Sequence, residues 1–165
     1  MPNWVKNKVA VSGDEKTIRE FKEFVELRSE DSKLEVVENP FCFNRIIPRP
    51  ELEGDGWYYW DIENWGTKWD SCGTELVIDT PTSLEYEFDT AWSMPEGVFK
   101  KLAEVFPTLE LSGEYADEDI GYNCGWWFAG NGRITRCEPA VDPFDYACEI
   151  WGLDPEEERR WREGE

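Results

Sequence analysis

The sequence predicts an α+β domain on a split β-α-β plan: one antiparallel sheet with helices on one face, followed by a helical extension. Two kinds of observation carry this. Apolar and polar residues alternate with period two in some stretches and recur at helical spacing in others. These stretches follow one another as strand, helix, Trp-rich insert, hairpin, helix and strand.

Residues 4–11, WVKNKVAV, set Val5, Val9 and Val11 against Lys6 and Lys8, the pattern of a half-buried strand. Ser12 with Glu15 reads as a capping box, and Ile18, Phe21, Phe24 and Val25 carry a helix to about Leu27. Residues 28–40 are polar and irregular, with a short strand at Leu34–Val37. Pro48 and Pro50 make the end of FCFNRIIPRP an extended, turning segment. In residues 57–70, WYYWDIENWGTKWD, the positions Trp57, Trp60, Asn64 and Trp65 share a helical face, and Gly66 ends that helix at about Trp65.

Residues 74–79 and 84–89 flank the turn Thr80-Pro81-Thr82-Ser83. Leu84, Tyr86 and Phe88 alternate with Glu85, Glu87 and Asp89, so this hairpin has an apolar face and an acidic face. Ser93 and Glu96 suggest a second capping box with Pro95 in the first turn. Val98, Leu102, Val105 and Phe106 continue that helix until Pro107. Residues 108–116 alternate again, with Leu109, Leu111 and Tyr115 against Glu110, Ser112 and Glu114. A further strand near Gly125–Ala129 leads to a Gly130-Asn131-Gly132 turn. The order is that of the ferredoxin-like β-α-β-β-α-β unit, whose sheet leaves one face open; residues 1–138 make up this domain.

Residues 139–165 read as a helical extension. Asp142 and Pro143 form an N-cap and N1 pair, and Gly152 closes the helix. Phe144, Ala147, Cys148 and Trp151 make an apolar stripe suited either to docking on the domain or to a homo-oligomer contact. DPEEERRWREGE begins a last, mostly polar helical turn.

Composition narrows the function. Against 37 Asp and Glu stand 17 Lys and Arg, a formal charge of −20. Phosphate binding rests on Lys and Arg, so direct nucleic-acid binding is disfavoured and a basic partner is the natural complement. Ten Trp argue against a disordered acidic chain. There is no His, which removes the usual general base and every Ser-His or Cys-His site. The five Cys have no C-x-x-C spacing, and neither a P-loop nor GxGxxG occurs, so no metal and no cofactor is expected. No run approaches the roughly 20 apolar residues of a membrane span, and free thiols fit a reducing cytoplasm.

The segments MPNWVKNKVAVSG, FNRIIPRP, NWGTKWD, FDTAWSMP and LAEVFPTLEL resemble the YubB ferredoxin-like domain family. The resemblance spans residues 1–130, with departure expected after residue 138. It implies the ferredoxin-like fold and an origin on phages or plasmids, and supplies no catalytic residues.

Two candidate sites follow. Glu85, Glu87 and Asp89 on one strand, and Glu110 and Glu114 on another, are expected to line the open face, with Asp117, Glu118 and Asp119 in the loop beyond. Same-face residues on a strand lie about 6.6–7 Å apart, close to the phosphate spacing along one DNA strand. The expected function is therefore non-enzymatic: binding and inhibition of a basic, nucleic-acid-binding host protein in the host cytoplasm, by anti-CRISPR or anti-restriction action, with mimicry as a route. Lys6 and Lys8 offer cross-strand partners to the acids but are too few to neutralise them. The alternative is a small-molecule or enzymatic pocket around Trp60, Asn64, Trp65, Lys68 and Trp69, where aromatic walls surround a few polar groups. Those rings serve equally well as core.

Overall fold

The computed structural model describes residues 1–29 and 36–164. In chain order the elements are β1 (Trp4–Ser12), α1 (Glu15–Val25), β2 (Leu27–Arg28), β3 (Val37–Asn39), α2 (Phe43–Ile46), α3 (Gly56–Asn64), β4 (Cys72–Thr80), β5 (Ser83–Ala91), α4 (Glu96–Val105), β6 (Glu110–Asp117), β7 (Cys124–Gly130), β8 (Arg133–Cys137), α5 (Pro143–Trp151) and α6 (Pro155–Glu163). The main sheet has six strands in the order β4-β5-β1-β6-β7-β8, antiparallel throughout. Its first four strands reproduce the split unit expected from the sequence. The hairpin β7-β8 widens the sheet beyond β6, turning on Asn131 and Gly132, which both take the positive φ that a tight hairpin demands. β2 and β3 pair in a separate small sheet. Of the short strand expected at Leu34–Val37, only its end lies within the described residues, where Val37 opens β3.

Alternation decides which face is core. Val5, Val9 and Val11 of β1, Leu84, Tyr86 and Phe88 of β5, and Leu111 and Tyr115 of β6 are buried against Ile18, Phe21 and Val25 of α1 and Val98, Phe99 and Leu102 of α4. The core is aromatic: Phe41 stacks on Phe88 at 5.0 Å, and Phe99 lies nearly parallel to Trp127 at 4.1 Å. β6 and β7 accommodate such rings by setting Gly113 opposite Trp127 and Gly125 opposite Tyr115.

Two local expectations are corrected, and one segment gains an element the sequence did not announce. Helix α1 is capped by Asp14, which accepts from Thr17 N at 3.0 Å; Ser12 belongs to β1 and donates to Glu110. Pro95 occupies the N-cap position of α4 with no side-chain cap, and Ser93 Oγ instead donates to Gly66 O. FCFNRIIPRP opens with the helical turn α2, because Asp70 accepts from Phe43 N at 2.7 Å and Asn44 N at 3.0 Å. A cap so distant in sequence leaves no local signature.

The extension folds back rather than standing free. Register pairs Ala116 with Lys6 and with Cys124, which places Ala116 on the face opposite the main core. There Ala116 and Ile120 bury against Ala147, Cys148 and Ile150, with Phe144 and Trp151 packed alongside. Trp151 Nε1 donates to the Ala116 and Asp117 carbonyls, and the Tyr146 hydroxyl donates to Gly125 O at 2.8 Å. The apolar stripe is therefore spent on the domain itself, which removes the basis for the oligomer reading. Asp142 and Asp154 cap α5 and α6 as their sequences require, with Pro at the first helical position of each.

Candidate functional site

With α5 over one end, the rest of the second sheet face stays open. Its centre is β1, whose Lys6 and Lys8 stand between the acids of β5 and those of β6. Lys6 meets Asp89 at 3.6 Å and Lys8 meets Glu87 at 3.8 Å. The Lys6 ammonium also lies 4.7 Å from the Trp151 ring, so this pair sits at the margin of α5. Burial there pushes the Asp89 carboxyl up, and the Lys6 charge opposes it.

Beyond these pairs the acids of this face lack cationic partners among the described residues. Glu85, opposite Ala10, and Glu114, opposite Lys8 across β1-β6, have no ion-pair partner within 4.0 Å among the described residues, and Glu110 accepts only from Ser12 Oγ. Glu75 of β4 lies directly opposite Glu87 and adds a carboxylate that the sequence reading missed. The small side chains Ala10 and Ser112 leave a furrow of about 500 Å³ among Lys8, Glu85, Glu87, Glu114, Val77 and Trp126. Trp126 and its neighbour Phe128 are 39% and 46% exposed, with ring centroids 5.8 Å apart. The alternation of Trp126 and Phe128 with Trp127 and Ala129 was the available signal for these outward rings.

The acids predicted after β6 do not join this face. Asp117 is buried and accepts from Asn3 Nδ2, Asn123 Nδ2 and Asp119 N. Glu118 accepts from Trp4 N at 2.8 Å, closing the chain over the end of β1. Asp117, Glu118 and Asp119 thus shape the β6–β7 connection. No group of three or more Cys, Asp or Glu among the described residues is placed to hold a metal ion.

The Trp-rich candidate divides in two. Trp65 is buried, donates to Ile47 O at 3.0 Å and meets Trp60 edge-on at 5.6 Å. Asn64 Nδ2 donates back to Trp60 O within α3. Beneath them Arg49 donates to the buried Asp61 at 2.7 Å, and Asp61 is raised by burial with the guanidinium opposing. Trp60, Asn64 and Trp65 are therefore structural. Lys68 instead meets the rings of Trp69, Trp92 and Tyr58, and Trp69 packs on Trp4.

Comparison with known proteins agrees with this topology. The model of the ferredoxin-like domain in Api92-like protein matches residues 64–156, from the end of α3 through α5 and into α6. The chain belongs to this family. The match takes in the first helix of the extension. The crystal structure of protein api92 from Yersinia pseudotuberculosis superposes on this Api92-like domain with a TM-score of 0.64 at 11% identity. The superposition covers 87% of this chain and 100% of that one, a likeness of fold. No curated protein matches the chain. No helix among the described residues is long and apolar enough to cross a membrane.

Proposed function

We propose that this Api92-like domain is a non-enzymatic binding module that receives a basic, arginine-bearing surface on its open sheet face. The observation that carries the reading is the row of unpaired carboxylates, Glu85, Glu110 and Glu114, beside the exposed rings of Trp126 and Phe128. A guanidinium fits both halves of that surface, because it pairs with carboxylates and stacks on aromatic faces, where an ammonium acts only as a point charge. The net charge of −20 would speed encounter with such a partner and repel nucleic acid.

Nucleic-acid-handling proteins are one class that presents such arginines, because guanidinium matches phosphate. The proposed action is therefore inhibition of a host nucleic-acid-binding protein by occupying its DNA or RNA site, as in anti-CRISPR or anti-restriction proteins. The resemblance to YubB proteins of phages and plasmids supports a mobile-element setting and a place in the host cytoplasm. Mimicry of a phosphate row fits Glu85 of β5 best, whereas Glu87 is engaged by Lys8 and Asp89 by Lys6 at the edge of α5.

The test is capture from host lysate with the parent chain and with a Glu85→Lys, Glu114→Lys double variant, at low and high salt. The expected result is a nucleic-acid-binding protein held by the parent, released by salt and absent with the variant. An affinity indifferent to salt and to charge reversal would sink the reading.

A further inference from the structure

Lys68 stands among aromatic rings instead of carboxylates. Its ammonium lies 4.6 Å from the ring centroid of Trp69, 5.0 Å from that of Trp92 and 5.9 Å from that of Tyr58. Among the described residues no Asp or Glu lies within 4.0 Å of it, in a chain with 37 acids. These rings come from distant parts of the chain: Tyr58 from α3, Trp69 from the loop before β4, and Trp92 from the end of β5. Trp4 backs Trp69 at 5.8 Å, and Tyr58 meets Trp92 edge-on at 6.1 Å.

Trp92 is held there against its own preference. Its φ is 70°, a left-handed conformation that bulky residues avoid, yet Trp92 N donates to Asn3 O and Trp92 O accepts from Asn123 Nδ2. The ring so presented remains 41% exposed. Glycine would satisfy this backbone without strain, so the exposed indole is carried at a conformational cost.

We propose that Tyr58, Trp69 and Trp92 form a box for a methylated or quaternary ammonium group, and that Lys68 is its resident occupant. The proposal is independent of the acidic face. Aromatic faces attract cations, and they favour cations whose hydration is cheap to remove. A primary ammonium is strongly hydrated, so Lys68 loses little by swinging back into water on its flexible stem. A trimethylammonium group has far less hydration to lose on entering the same space. Lys68 would therefore exclude common primary amines while yielding to methylated ones, and the negative field of the chain would concentrate either kind near the box.

The experiment is titration of the full chain with tetramethylammonium chloride, against sodium chloride at equal ionic strength, followed by the indole N–H and lysine ε-methylene signals in NMR spectra. In the parent chain the ring-shifted ε-methylene protons of Lys68 should return to ordinary positions as the ligand saturates. Lys68→Gln should bind at least about tenfold more tightly, since it removes the competitor. Lys68→Gln combined with Trp92→Gly should keep the dispersed spectrum of a folded chain and lose the binding. A parent chain whose Lys68 signals never move, or a folded Lys68→Gln variant without saturable binding, would overturn the proposal. Titration with a nucleoside monophosphate supplies the opposite case: saturable binding that vanishes in Lys68→Gln would make Lys68 an anion contact instead.

Discussion

Trp126 and Trp127 are neighbours in β7 and opposites in the fold. Trp127 is 1% exposed and stacked on Phe99, whereas Trp126 is 39% exposed beside the furrow of the open face. One face of the sheet is closed by aromatic packing, and the other carries its aromatics outward among carboxylates. Identical side chains thus do different work according to the parity of their position, which implies that stability and binding are separable by mutation.

The largest effect tests this directly. Trp127→Ala should cost about 3–5 kcal/mol of stability, as large-to-small changes of buried rings do, while Trp126→Ala should stay within about 0.5 kcal/mol. Urea denaturation of the two variants measures both, and similar losses would break the contrast between the faces. Next comes the residue that makes room for Trp127. A Cβ on Gly113 would lie 2.6 Å from Lys8 O and 2.6 Å from the Trp127 Nε1 atom. Neither the β1 backbone nor a ring stacked on Phe99 yields easily, so Gly113→Ala should cost about 1–3 kcal/mol in the same assay. A neutral outcome would mean that the core face is looser than its packing indicates.

These two positions also mark what the sequence makes legible. Period-two alternation announced β1, β5 and β6, and with them the acid rows Glu85–Asp89 and Glu110–Glu114, because parity is a local property. It also put a strand through Trp126, but not that ring's place beside Glu114, which arises from the pairing of β6 with β7. The cap of α2 by Asp70 and the gathering of Tyr58 and Trp92 around Lys68 are long-range contacts with no local period. Burial of Asp117 escaped for the same reason: its partners Asn3 and Asn123 lie on other segments. Within WYYWDIENWGTKWD the core alternative holds for Trp60, Asn64 and Trp65, and the pocket alternative remains only as the proposal built on Lys68 and Trp69.

Acidity supplies a third, smaller effect, involving one carboxyl from each region. Asp61 beneath α3 and Asp89 at the margin of the open face are both raised above 3.8, in each case chiefly by burial, with Arg49 and Lys6 opposing. A raised carboxyl binds its proton more tightly in the folded state. Its contribution to stability is therefore complete below 3.8 and lost as pH rises through the raised value. Asp14, lowered by its bonds from Thr17, acts in the opposite sense and is lost only as pH falls below 3.8. Stability should then increase as pH falls from neutrality through the raised values toward 3.8, helped by relief of self-repulsion among the acids. Thermal unfolding across that range checks the sign, and a steady decline would show that the ion pairs outweigh burial at both sites. Asp61→Asn should flatten the trend, because it removes one of the two raised carboxyls.

The smallest stability effect carries the most functional information. Lys8 and Glu87 form a 3.8 Å pair whose side chains are 38% and 37% exposed. Exposed pairs of this kind contribute less than about 1 kcal/mol, so Lys8→Gln should leave the unfolding midpoint almost unchanged. The same substitution removes the only cation among the described residues that line the furrow and frees Glu87 beside Glu85 and Glu114. If the open face receives a basic partner, Lys8→Gln should tighten binding, with the gain greatest at low salt. If the face is only a solvated surface, the variant should change neither quantity. A loss of affinity would instead make Lys8 a contact in its own right and give the furrow an acidic ligand.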